Sequence, residues 1–388
     1  MNKKLLLISF LISQSITQSA FSDDTLPKND LDLTFSTSCD SRNQQAIISF
    51  VGDILIHKAL YQAVISETKH FNQIWKKTDS LIQKADFSVA NLEGPAALGI
   101  DKNGKDRGDI GFVYDDEVYS GTNYIFNYHP RILSDLKDSG FDLITSANNH
   151  STDRLGLGID RTILAARTIG LPTVGTRKSD EPNGEYFKIV PIKNMRVAFV
   201  GCTEYINIPD NDNQVLFCEN EKIFKIIKEV SARPDVDALV VLPHWGVEYS
   251  HLPRDYQREY ARRYLEAGAI AVMGSHPHVL QPWEKYTTKN GRETLILYSL
   301  GNFVAAQVGL ERQTGTVAYI GISKNGTQKA KIFGVAYTPT YRTGTSINPI
   351  GRSDSPEVLD HISHMYGTLT RAEPNGALLP VMCPKNIK

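Results

Sequence analysis

Neither sign of charge dominates this chain: 42 Lys and Arg stand against 43 Asp and Glu in 388 residues, a net of −1. A nucleic acid backbone is held by a cationic surplus, so nucleic acid is not an expected partner. There is no internal repeat or low-complexity tract, so the architecture must be read from the order of elements. Cysteine is scarce, at Cys39, Cys202, Cys218 and Cys383 only, and none has the Cys-x-x-Cys spacing of a zinc thiolate site or redox pair. The N-terminal apolar run, residues 5–16, stops well short of the roughly 20 residues that a spanning helix needs. What is present is a globular balance, 41% hydrophobic and 22% charged, in a chain long enough for a large core.

Lys3 and Lys4, the apolar run, then Ala20 and Ser22 before Asp23 and Asp24 have the layout of a secretory signal peptide cleaved after Ser22. The chain therefore reads as exported, periplasmic or extracellular; an uncleaved anchor is the alternative. In an oxidising compartment an even cysteine count favours disulfides, with three possible connectivities. The spacing favours Cys202 with Cys218, pinning the polar loop between them, and Cys39 with Cys383, tying the ends of the mature chain. Four free thiols remain the other reading.

Short runs rich in β-branched and aromatic residues recur at 46–52, 87–90, 142–146, 196–201, 238–242, 270–274 and 294–300. Most are continuously apolar, as strands buried on both faces are. Amphipathic segments at 71–85, 130–139, 158–169, 221–230 and 254–267 predict helices between them. The alternation implies an α/β fold with a parallel or mixed sheet. Residues 316–323 and 329–337 flank Lys324-Asn325-Gly326 and predict a hairpin at a sheet edge. The organisation reads as a signal peptide at 1–22, an N-terminal extension at 23–44, one large domain at 45–340, and a polar tail at 341–388 with one helix at 356–368. Residues 94–128 form a long connection carrying Tyr114, Tyr119, Tyr124 and Tyr128, of the length that usually marks a lid or binding loop.

Five predicted strands end in groups able to bind metal: Asp53 with His57, Glu93, Asn149 with His150, His244, and His276 with His278. In open α/β sheets, ligands bind beyond the carboxyl ends of the strands, so these distant residues can converge in one crevice. Carboxylate, amide oxygen and imidazole together suit Zn, Mn, Fe or Co. The two histidines of His276-Pro277-His278 would point to the same side of an extended segment and so serve neighbouring ions. Taken singly each has a plainer reading: Asp53 as a helix cap, His244 beside Trp245 as core, His57 as part of a first helical turn.

At these residues the chain resembles the CapA family of bacterial capsule (poly-γ-glutamate) biosynthesis proteins. The matching stretches are VGDILIH at 51–57, NLEGP at 91–95, ANNH at 147–150, HWGVEY at 244–249, GSHPHVLQ at 274–281 and SLGNF at 299–303. That family is similar to the calcineurin-like metallophosphoesterases. The resemblance implies a four-layer αββα sandwich of two mixed β-sheets, followed here by the C-terminal hairpin and helical tail, around two divalent metal ions. Asp53, His57 and His278 would hold the first ion, Glu93 would bridge, and Asn149, His244 and His276 would hold the second. His150 falls where those enzymes place a general acid and Asp153 where they orient it. The first motif departs from theirs in being Asp-x-x-x-His, and Glu93 replaces their usual Asp.

The implied activity is an exported dinuclear-metal hydrolase of an ester or amide bond in a capsule or envelope polymer, poly-γ-glutamate among them. The alternative is a noncatalytic poly-γ-glutamate binding or export component of a capsule synthesis complex at the membrane; a nonspecific phosphatase is a third reading. The partner is then an anionic polymer or small-molecule substrate. Trp245, Glu248 and Arg254 are candidate substrate contacts or supports, with Arg107 a further cation for an anionic substrate.

Overall fold

The computed structural model describes residues 31–40, 42–210 and 212–383; the expected signal peptide lies outside them. Two mixed sheets stack face to face. The first has the spatial order Ser346–Pro349, Lys331–Thr343, Thr314–Lys324, Gln44–Ile54, Phe87–Leu92, Leu143–Thr145, Thr173–Val174, with Asn302–Val304 also pairing to Gln44–Ile54. The second runs Leu280–Thr287, Glu293–Leu300, Ala271–Met273, Ala238–His244, Met195–Thr203, Phe187–Ile192. The strands that carry the motifs run parallel to their motif-bearing neighbours, so their carboxyl ends share one side.

Strand periodicity explains the layering. Val197, Phe199, Val240, Leu242, Leu295 and Leu297 face the first sheet, where Ala46, Ile48, Phe50 and Val89 meet them in a common core. Their alternates Ala198, Val200, Leu239, Val241, Ile296 and Tyr298 face outward under helices Glu221–Ala232 and Asp255–Ala267. The outer face of the first sheet is covered by Lys58–Glu67 and Arg131–Ser139. The result is the four-layer αββα arrangement, and the continuous apolar runs follow from burial on both faces.

Two local expectations give way. The stretch 71–85 is no single helix but two 3-10 turns, Phe71–Ile74 and Lys76–Thr78, and one α-turn, Asp79–Ile82. Thr78 Oγ1 takes the Trp75 carbonyl at 2.7 Å, Phe71 N donates to Asp135, and Trp75 Nε1 donates to Ser139, so tertiary and side-chain bonds replace the helical ladder. The hairpin forms, with Gly326 in the left-handed region at φ 56°. It lies inside the sheet, however, because Lys331–Thr343 runs past residue 340 and pairs with Ser346–Pro349. Helix Lys58–Glu67 begins directly after His57, its N-cap residue, where the sequence placed a first helical turn.

The stretch after residue 340, polar enough to read as an appendage, is packed into the sandwich. Tyr366 of helix Pro356–Tyr366 is fully buried in the inter-sheet core, donates to Ser299 O at 2.8 Å, and sits with Trp283 and Tyr337 at ring separations of 4.9 and 5.4 Å. At the other end Leu33 is buried in the same core and Leu31 O accepts from Trp283 Nε1 at 2.8 Å. The disulfides join Cys39 with Cys383 and Cys202 with Cys218, the connectivity that spacing favoured. The long connection 94–128 is buried at its two ends, where Tyr119 and Tyr128 are fully enclosed, and exposed over most of 102–117 and at Tyr124, which stands out at 78% exposure.

Tyr366→Ala is expected to cost about 3–5 kcal/mol in urea denaturation, the range for removing a large buried aromatic, whereas Asp360→Ala on the exposed side of the same helix should stay within about 0.5 kcal/mol. A Tyr366→Ala loss below about 1 kcal/mol would detach this helix from the core.

Candidate metal centre

The backbone at the strand ends is shaped by close approaches that only glycine permits. A Cβ on Gly52 would lie 1.8 Å from Gly301 O, and one on Gly274 would lie 2.1 Å from Tyr298 O. These contacts lock the residues just before Asp53 and His276 against neighbouring strands. His276 and His278 themselves have φ of 101° and 58°, so the HPH segment is not extended as the sequence suggested. The turn nevertheless keeps both rings together, with centroids 5.9 Å apart.

Around this turn the distant motifs converge. His278 Nδ1 lies 3.0 Å from Asp53 Oδ2 and 3.0 Å from Asn302 Oδ1, which leaves its Nε2 toward Glu93 Oε1 at 3.7 Å. His244 Nε2 lies 3.5 Å from the same Glu93 oxygen, 2.8 Å from Asn149 Oδ1 and 3.1 Å from His276 Nδ1. Asp53 also accepts from Asn91 Nδ2 at 2.8 Å and faces the backbone N of His276 at 3.3 Å. Three sets of side chains have ligand atoms within 4.8 Å of one another: Asp53, Glu93 and His278; Glu93, His244 and His276; and Glu248, His276 and His278.

Glu93 shows whether such residues suit a cation. Both of its carboxylate oxygens are buried and neither has a hydrogen-bond partner. Burial pushes its carboxyl up to about 8, against the pull of His278. For His278, burial opposes the charged form, but the charges of Glu93 and Asp53 outweigh it and raise the imidazole to about 9. Burial drives His244 down to about 3 and His276 well below the usual histidine value, so both are neutral imidazoles with lone pairs to offer. A carboxylate with no donor, faced by neutral imidazoles and an amide oxygen, is a donor set that fits a divalent cation.

His150 and Asp153 sit beside this cluster. His150 Nδ1 is 2.8 Å from Asp153 Oδ2, which also accepts from Phe126 N at 2.7 Å, and the imidazole stands edge-on to the Phe126 ring at 4.7 Å. Burial works against a charged His150, yet the charge and hydrogen bond of Asp153, with Glu93, raise its pKa.

The remaining candidates disperse. His57 lies outside the three ligand sets: its Nδ1 is 3.2 Å from both Leu55 O and Ala306 N, and burial lowers it to about 4. Trp245 does not reach the rim. It is fully buried under helix Asp255–Ala267, donates to Tyr298 O at 3.0 Å and stacks on Tyr264, so the expected substrate contact is a core residue. Glu248 is exposed beside His276 and His278, and Arg254 is exposed at the start of Asp255–Ala267. Arg107 is committed to Asp101 at 2.6 Å. Tyr128 supports the centre from behind, its hydroxyl donating to Glu93 O at 2.6 Å. Sequence reasoning assigned no role to Asn91, Asn302 or Tyr205, whose hydroxyl is 3.1 Å from His276 Nε2. Asn91 and Asn302 lie inside the quoted NLEGP and SLGNF stretches, and that was their signal.

A family model for bacterial capsule synthesis proteins, PGA_cap, matches residues 47–307. The chain is 31% identical over 288 residues to the PGA biosynthesis protein CapA of Bacillus subtilis (strain 168), covering 73% of this chain and 70% of that one. It is 27% identical over 299 residues to the capsule biosynthesis protein CapA of Bacillus anthracis, covering 74% and 66%. Among solved structures, a 5'-nucleotidase from Candida albicans overlaps with a TM-score of 0.39 and 13% identity, over 82% of this chain and 57% of that one. TT1561 of Thermus thermophilus overlaps at 0.38 and 9%, over 71% and 94%. Overlaps of that size carry no functional weight.

In metal-free protein Glu93→Gln should raise the melting temperature, because a buried carboxyl without a donor is replaced by a neutral amide. Added Mn or Zn should raise the melting temperature of the wild type and leave that of Glu93→Gln nearly unmoved. An equal metal-induced rise in both proteins would remove Glu93 from the ligand set.

Proposed function

The chain belongs to the bacterial capsule synthesis protein family, and from that premise we propose that it is an exported metal-dependent hydrolase of an ester or amide bond in a capsule or envelope polymer such as poly-γ-glutamate. The observation that carries this reading is Glu93, a buried carboxylate with no hydrogen-bond donor between His244 and His278, next to a His150–Asp153 pair. Asp53, Glu93 and His278 would hold one divalent ion, and Glu93, Asn149, His244 and His276 a second, drawn from Zn, Mn, Fe or Co. When bound, such ions polarise the electrophile and make water a nucleophile at neutral pH.

The chain's own groups supply the rest. Asp153, fixed by the Phe126 amide, holds the His150 ring through Nδ1, so the proton available for a leaving group resides on Nε2. The charge and hydrogen bond of Asp153 shift the ring toward its protonated form, against the opposing effect of burial. A protein that only retains polymer needs cation ligands but no oriented proton donor, which favours the hydrolase over the binding component. Export is supported by the two disulfides and by the lack of free cysteine among the described residues. Among those residues no helix is long and apolar enough to cross a membrane.

His150→Ala should lower kcat on a chromogenic phosphodiester or a γ-glutamyl anilide by about 10²–10⁴-fold while elemental analysis finds unchanged metal content. Asp153→Asn should lower it in the same direction. Full turnover in His150→Ala would remove this histidine as the acid, and metal-loaded wild type that cleaves neither probe yet retains poly-γ-glutamate on a column would favour the binder.

A further inference from the structure

Beside the metal centre, on the His278 side, one guanidinium is left without an acid. Arg312 is half-buried, with its Cζ 5.0 Å over the ring of Tyr249, and among the described residues its side chain has no ion pair or hydrogen bond. Arg342, Arg292 and Arg258 are committed, the first two to backbone carbonyls and the third to Glu284. Tyr249 is itself held firmly. It keeps a left-handed φ of 64° while its N–H donates to Pro277 O at 2.7 Å, inside the HPH turn. Its ring lies 6.1 Å from that of His278, and its hydroxyl accepts from Gln307 Nε2 at 3.2 Å. Gln307 Oε1 in turn accepts from Asn302 Nδ2, which also donates to Arg312 O at 2.9 Å. One network therefore positions His278 and Arg312 together.

We infer that Arg312 is a substrate-anchoring residue that reads an anionic group, carboxylate or phosphate, next to the bond presented to the metal centre. The inference rests on that centre being the reacting site. A planar guanidinium stacked on a tyrosine keeps its N–H edge free and pre-organised, so it can pair bidentately with a carboxylate or phosphate at small entropic cost. An unpaired, half-buried cation at the mouth of a site selects for a substrate that brings the missing charge.

The test is binding without turnover, so that it stands apart from the hydrolase reading. In metal-loaded His150→Ala protein, calorimetry would compare oligo-γ-glutamate, its neutral oligo-γ-glutamine counterpart and an oligo-glycerol phosphate. The protein should bind one of the two anionic oligomers at least about tenfold more tightly than the neutral one. Adding Arg312→Ala should abolish that preference with melting temperature and metal content unchanged, and Arg312→Lys should restore part of it. Loss of preference for oligo-γ-glutamate assigns the anchor to carboxylates; loss of preference for the phosphate oligomer supports the anchor and overturns the polyglutamate assignment. Retained preference in Arg312→Ala, its loss in Arg254→Ala instead, or no preference in the parent would overturn the inference.

Discussion

Everything near the rim of this molecule is organised by one unfavourable act, the burial of the Glu93 carboxyl where no donor reaches it. A buried ionised carboxylate costs several kcal/mol unless it is paired, and a group in that position neutralises itself or recruits a cation. Here protonation is the response of the protein alone: Glu93 is raised to about 8 and His278 to about 9, so the pair keeps a proton that isolated groups would release. Divalent cations would compete for those same sites, and their binding would be coupled to proton release and to stability. The centre is thus a place where folding free energy is spent to hold ligand atoms close.

The sandwich makes that expense tolerable. Asp53 and Glu93 come from adjacent parallel strands of the first sheet, whereas His244, His276 and His278 follow strands of the second. The apolar core between the sheets fixes the two sets relative to each other, and neither sheet alone could assemble the cluster. The C-terminal helix belongs to the same argument, since Tyr366 fills the inter-sheet core and bonds the carbonyl of Ser299, three residues before Asn302. A segment that looks peripheral by composition helps hold the strand from which the His278 partner emerges.

Sequence carried the strands well because burial on both faces leaves a dense, local signal: the runs at 196–201, 238–242 and 294–300 lie within the observed Met195–Thr203, Ala238–His244 and Glu293–Leu300. The disulfide pairing was legible because loop spacing constrains it. Harder were features set by tertiary contact. The 71–85 segment has helical periodicity, but Asp135 and Ser139 draw its groups away. The tail is polar on average, and averaging hides the one tyrosine that matters. Trp245 illustrates the converse limit: it follows the candidate ligand His244 in sequence, yet period-two alternation sends it to the opposite face of the sheet.

The rim also shows why residue identity predicted convergence better than it predicted geometry. His276, His278 and Tyr249 all hold positive φ, each a conformation that costs a non-glycine residue about 1–3 kcal/mol. Such strain persists only where neighbours over-determine it, and each is pinned: His276 N faces Asp53, His278 is gripped by Asp53 and Asn302, and Tyr249 N donates to Pro277. An extended HPH segment would have put the imidazoles on one face at strand spacing; the strained turn instead directs His276 toward His244 and His278 toward Glu93. Because Tyr249 shares that turn, the position of the Arg312 guanidinium is tied to the position of His278, and a shift at His278 would be felt at Arg312.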